Sequence, residues 1–197
     1  MSTVSPPRPV VVLDGAITWT HGCLQLAAGR PLSLSTPCRA WDLGRLLDHM
    51  DDSLLALGEA AELGRVSVDP LPRRRTTEGL VDRLVQRACK TRTAWHERIT
   101  SAPISVGDLS LDRDTLLLVG ALEIAVHGWD VGRACGDDRP IPDELAVPLL
   151  DTARTMVTWP ERGRRFGPPV AVDAAAPSGA RLLGHLGRDP AWSPRRA

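Results

Sequence analysis

Apolar positions recur at helical spacing along most of the chain. Over residues 10–29, Leu13, Ile17, Leu24 and Ala28 form one stripe, which Gly29 and Pro31 close. After the loop "PLSLSTPCRAW", Asp42 is placed to cap a second helix. Its apolar face is Leu43, Leu46, Leu47, Met50, Leu54 and Leu57, and Gly64 ends it. The stretch "VSVDPLPRRR" reads as an exposed connection rich in Pro and Arg, with the three arginines at 73–75 solvated. Thr77 then opens a third helix with Leu80, Val81, Leu84, Val85, Ala88, Trp95 and Ile99 facing inward. Residues 101–112, "SAPISVGDLSLD", contain Pro, Gly and a brief alternation, which fits a loop or a short hairpin.

A fourth helix runs from about Asp114 to Cys135 and stops at Gly136. A fifth spans 142–158, with Pro142 in its first turn and Pro148 expected to bend it. Beyond Trp159 the chain is rich in Gly and Pro, with at most a short helix near 178–186. No internal repeat or long linker divides it. The pattern predicts an all-α protein of one domain over residues 1–197. A four-helix bundle with an extra helix occupies about 10–158, and an irregular C-terminal extension follows over 159–197.

The fourth helix contains the anomaly. "LEIAVHGWD" places Glu123, His127 and Asp130 in an otherwise apolar run. At about 100° per residue, His127 lies roughly 40° from Glu123, and Asp130 about 20° to its other side. A carboxylate and an imidazole at i, i+4 can share one divalent ion in a bundle interior. His49 on the second helix can supply a third ligand, with Asp42 and Arg45 on the same face. Three N/O ligands would leave a coordination position open, as catalytic zinc requires. Asp130 would then hold an imidazole or face a substrate. The plainer alternative is a Glu–His hydrogen bond at the bundle surface, with His49 an ordinary half-buried histidine.

Composition narrows the function classes. The 197 residues include 24 basic and 24 acidic side chains, so no charge excess favours nucleic acid or disorder. No apolar run approaches the roughly 20 residues of a membrane span. The N-terminus lacks the order of regions that marks a signal peptide, so a soluble cytoplasmic protein is expected. Cys23, Cys38, Cys89 and Cys135 are widely spaced and read as reduced thiols, not a disulfide framework or zinc ribbon. With one Phe and no Tyr, the six Trp carry nearly all the aromatic mass.

Three stretches carry a family resemblance. "STPCRAWDLGRLLDHM" resembles the N-terminal signature of the mycothiol-dependent maleylpyruvate isomerase family, a part of the DinB-like metal-binding superfamily. "LEIAVHGWDVGRACG" resembles its second signature, and "RFGPPVAVDAAAPSGARLLGHLGRDPAW" the C-terminus of its short, single-domain branch. The three occur in the family's order and span essentially the whole chain. The resemblance implies a DinB-like four-helix bundle with His49, Glu123 and His127 at the metal-ligand positions. The metal is usually zinc, though N/O ligation also suits Ni, Fe or Cu.

The resemblance also implies a small-molecule thiol at the open position, mycothiol in actinobacteria. The chain's single lysine against 23 arginines is a skew typical of such GC-rich genomes. Metal coordination deprotonates a thiol of pKa near 8.5 outright. The thiolate can then add to an electrophilic alkene, allow rotation and leave, or displace a leaving group. The expected function is therefore a metal-dependent isomerase or S-transferase acting on a small electrophile. A thiol-independent Lewis-acid isomerase or cyclase of natural-product biosynthesis is an alternative, as is a non-catalytic metal- or ligand-binding bundle. The isomerase that names the family has a further domain that helps bind its dicarboxylate, so a substrate other than maleylpyruvate is expected here.

His21 falls between Ile17 and Leu24 and is a candidate acid/base group, a fourth ligand, or a core histidine. Arg45 and Arg133 are candidate contacts for an anionic thiol or substrate. His96 and His185 are expected at the surface, and Cys38 buried. Trp41 and Trp129 flank the ligand helices as packing or as pocket lining. The partners expected are a small substrate and a low-molecular-weight thiol, with no nucleic acid and no membrane, in a monomer or homodimer.

Overall fold

A computed structural model describes residues 7–67, 79–158, 162 and 166–194. Among these, the chain forms helices α1 (Pro9–Ala27), α2 (Leu43–Leu63), α3 (Leu80–Glu97), α4 (Arg113–Ala134), α5 (Asp143–Met156) and α6 (Ser178–His185). A small sheet joins β1 (Arg65–Val66), β2 (Ile104–Val106) and β3 (Leu109–Leu111) in that order. The protein is thus mostly helical, as the periodicity predicts. The expected opening of the third helix at Thr77 and the arginines at 73–75 lie outside the described residues.

Local chemistry sets the helix ends. Asp42 accepts a hydrogen bond from the Arg45 amide at 2.9 Å, and Asp112 one from the Thr115 amide at 2.9 Å. Each satisfies an amide that has no partner inside its own helix. Gly64 closes α2 with a φ of +68°, a conformation that costs a glycine nothing. The hairpin forms because Gly107, with a φ of +57°, permits the two-residue turn between β2 and β3. β1 adds in parallel to β2, a pairing too short to show in the sequence.

α4 is the central helix: it packs chiefly on α1 and also on α2 and α5. Its neighbours bury residues all round it, from Leu117 to Ala134, which explains why it shows no strong polar face. By length and composition it is also apolar enough to cross a membrane, contrary to the expectation that no run approaches this. Some 72% of that stretch is buried within the protein, as in a core helix. The aliphatic core comes from Leu13 and Ile17, Leu46 to Leu57, Leu84, Leu117 and Ile124, with Trp95 as its largest fully buried side chain.

α1 and α4 approach closely where Gly128 faces Thr20. A Cβ at Gly128 would stand 2.9 Å from that of Thr20, and the Thr20 hydroxyl donates to the Ile124 carbonyl at 3.0 Å. Thr20 lies at the centre of the buried arc of α1. His21, about 100° further round, is exposed and lies 3.3 Å from the Gln25 amide. The expectation that His21 faces the site is therefore corrected: a small residue, not the histidine, fills the inward position. Two other inward expectations fail at helix ends, where Ala28 and Ile99 are exposed. α5 runs through Pro148 as one helix, with Pro142 capping it from just outside.

Gly128→Ala should cost about 1–3 kcal/mol, the usual penalty of overpacking. In urea unfolding the loss should be less than additive with Thr20→Ala, because the two changes act on one contact. Additive losses would show that the approach of α1 to α4 does not rest on this pair.

Candidate metal centre

The Asp42 cap fixes the phase of α2, so Leu43, Leu46, Leu47 and Met50 turn inward and His49 lies at the edge of that buried stripe. On α4, Glu123 and His127 stand one turn apart. The fold joins the two helices there: Glu123 Oε2 lies 3.1 Å from His127 Nε2 and 3.6 Å from His49 Nε2. One ligand atom from each of the three side chains falls within 4.8 Å of the others, so the group can hold a metal ion. Tetrahedral zinc ligands at about 2.0–2.2 Å from the ion stand roughly 3.3–3.6 Å from one another. The Glu123–His49 separation falls in that range and the Glu123–His127 separation is slightly shorter, and the donor set of two imidazoles and a carboxylate is one that zinc takes.

Behind the cluster, His127 Nδ1 lies 3.0 Å from Asp130 Oδ2. The carboxylate has no solvent exposure, and the same oxygen accepts from Arg188 Nη2 at 3.1 Å. Ionised carboxylates accept only, so His127 donates from Nδ1 to Asp130 and, in the metal-free protein, from Nε2 to Glu123. This is the carboxylate–histidine arrangement that orients metal-binding imidazoles. Asp130 therefore holds His127 and faces no solvent-filled site, which settles the choice between its two expected places.

Charge balance follows from burial. Desolvation acts to raise the Glu123 carboxyl, but hydrogen bonds and charge from His127 and His49 outweigh it and hold it below its ordinary range. Desolvation acts to lower His127, yet Asp130 and Glu123 on either side push it up to about 9. Asp130, raised by desolvation, is brought below its usual value by Arg188 and His127. Removing one member of such a buried pair typically costs about 3–5 kcal/mol, since the other charge remains without compensation.

The mouth is formed by the partly exposed His49 and Glu123. The Trp41 ring lies beside them, its centroid 4.6 Å from that of His49 and 5.8 Å from that of His127. Trp41 thus lines the site, whereas Trp129 is buried in the core. Arg45 is exposed, and its guanidinium sits 5.7 Å over the Trp41 ring. It has no other polar partner among the described residues, and it lies at the rim and not among the ligands. Arg133 does not face the site as expected: its guanidinium donates to the Trp192 carbonyl from Nε and Nη2.

Cys38 is half-buried, and burial followed by the charge of Asp130 pushes its thiol pKa up, which disfavours a nucleophilic thiolate. The four cysteines are unpaired. His96 is at the surface, bound to Asp14 at 2.7 Å, while His185 is half-buried against the Ala153 carbonyl at 3.3 Å, not at the surface as expected. Sequence reasoning missed Arg188. The available signal was indirect: a carboxylate set in so apolar a helix needs a cation, but any of 23 arginines could supply it.

The folded His127 value lies above the ordinary imidazole value near 6.5. Its protonation therefore stabilises the metal-free fold fully below about pH 6.5, and that contribution disappears as pH rises through about 9. The lowered carboxylates act in the opposite sense and lose their contribution as pH falls below about 4. Thermal melting of chelator-treated protein should show Tm falling across the alkaline window, with the fall abolished in His127→Gln. An unchanged alkaline slope in that variant would contradict the assignment.

The chain matches no known family, curated protein or solved structure in comparisons with each, so its function is argued from the geometry of this centre.

Proposed function

We propose that this chain is a divalent-metal-dependent enzyme of the mycothiol-dependent isomerase or S-transferase type, on a DinB-like four-helix bundle. One observation carries the reading: three metal-ligating side chains from two helices converge, and the buried one is oriented by a carboxylate on its far nitrogen. His49, Glu123 and His127 hold the ion, with zinc the metal that the family resemblance implies and the donor set accepts. When bound, such an ion acts as a Lewis acid and lowers the pKa of a coordinating thiol or water.

The protein's own residues do the rest. His127 donates its Nδ1–H to Asp130, which turns Nε2 toward Glu123 for the ion, and Arg188 keeps Asp130 ionised. Trp41 walls one side of the mouth beside both imidazoles. Arg45, with its guanidinium unpaired at the rim, attracts an anionic group on the incoming thiol or substrate. The motifs "STPCRAWDLGRLLDHM" and "LEIAVHGWDVGRACG" support the thiol-using class, since the residues they share with it are those gathered here.

The purified protein should bind zinc stoichiometrically. His127→Ala should weaken binding by more than the roughly 10–100-fold that follows loss of an outer partner. Calorimetric titration with mycothiol should show binding to zinc-loaded protein and none to the metal-free form. Zinc uptake unaffected by His127→Ala would sink the metal assignment. Equal mycothiol binding with and without zinc, or binding to neither, would sink the thiol-using class alone.

A further inference from the structure

The polar chain through the cluster continues past α4 into the C-terminal segment. Arg188 lies beyond α6, 58 residues after Asp130, yet its Nη2 reaches the same Oδ2 that His127 Nδ1 uses. The other atoms of the pair, Asp130 Oδ1 and Arg188 Nε, have no hydrogen-bond partner. A single oxygen therefore carries both contacts, and both residues that share it are buried.

Three residues further along α4 the direction of the contact reverses. Arg133 donates from Nε to the Trp192 carbonyl at 2.9 Å, with Nη2 on the same oxygen, while its guanidinium lies 5.7 Å over the Trp129 ring. An arginine of the tail thus enters α4, and an arginine of α4 grips the tail. Both contacts fall within two turns of His127. Leu182, Leu183 and Leu186 bury the apolar side of the same segment, so it docks as a packed element.

We propose that Arg188 is a positioning residue for the metal ligand His127, and that docking of the C-terminal segment Ser178–Trp192 is coupled to metal binding. The inference rests on the metal reading above. With the tail docked, Asp130 Oδ2 is fixed, His127 is held through Nδ1, and Nε2 faces Glu123. With the tail lifted, Asp130 is a buried carboxylate without its cation, and it must turn or take up a proton. Either change removes the anchor of the imidazole. Linkage makes the effect reciprocal, so zinc tightens the tail by the same factor that the tail tightens zinc.

The test uses the full chain and zinc alone. Hydrogen exchange at the Leu186 and Arg188 amides, which bond back to Leu182 and Leu183, should slow about fivefold or more on zinc loading. In chelator competition, Arg188→Met should weaken zinc binding about 10–100-fold, and Arg188→Lys should recover much of it. Arg133→Ala touches no member of the cluster, yet should weaken binding about fivefold or more. Nitrogen-15 spectra should show His127 protonated at Nδ1 in zinc-loaded wild type, with the Nδ1–H resonance shifted in zinc-loaded Arg188→Met as its acceptor loosens.

If Arg188→Met does not fold, the wild-type exchange and Arg133→Ala still decide. Zinc binding in Arg133→Ala equal to wild type, together with tail exchange indifferent to zinc, would overturn the coupling while leaving the metal reading intact. A wild type that takes up no zinc would overturn both.

Discussion

The Asp130 carboxylate, sealed from solvent and shared between His127 and Arg188, is the contact on which the site depends. It is costly to bury and is tolerated only because a cation and an imidazole N–H both reach one of its oxygens. In return it fixes the ring of His127 and directs Nε2 toward Glu123. It also requires the C-terminal segment to be in place, since the arginine comes from there. The candidate metal group, the central helix and the C-terminal segment thus meet at one oxygen atom.

The bundle supplies the rest of the geometry by ordinary packing. Gly128, next to His127, lets α1 approach α4 so that the ligand-bearing turn is held from behind. The Asp42 cap sets the phase of α2, and two turns later that phase delivers His49 to the same end of the bundle. Trp41, in the loop before the cap, comes with it and lies beside both imidazoles. Three features of one short motif, the indole, the cap and the ligand, therefore act together because a helix start fixes their relative positions.

Periodicity alone locates most of this. Helix ends at Gly64 and Gly136 are readable because glycine at those points permits a positive φ. His49, Glu123 and His127 were readable because polar groups stand out in apolar helices, and i, i+4 spacing puts two of them on one face. His21 was misread because an inward stripe of α1 can be drawn through either of two adjacent residues, and only the close contact with Gly128 selects Thr20. Arg188 was out of reach for a different reason. The tail has no period to orient it, and its pairing with Asp130 depends on tertiary docking over a long separation. The resemblance of the motifs to a thiol-using family suggests the chemistry, while the geometry speaks only for the centre that would support it.

X-ray absorption of the zinc-loaded protein in the absence of thiol tests the central claim most directly. It should show only nitrogen and oxygen neighbours at about 2.0–2.2 Å, with the multiple scattering of two imidazoles, and Glu123→Gln should alter the oxygen shell. A sulfur shell at about 2.3 Å, or a spectrum without imidazole scattering, would contradict it.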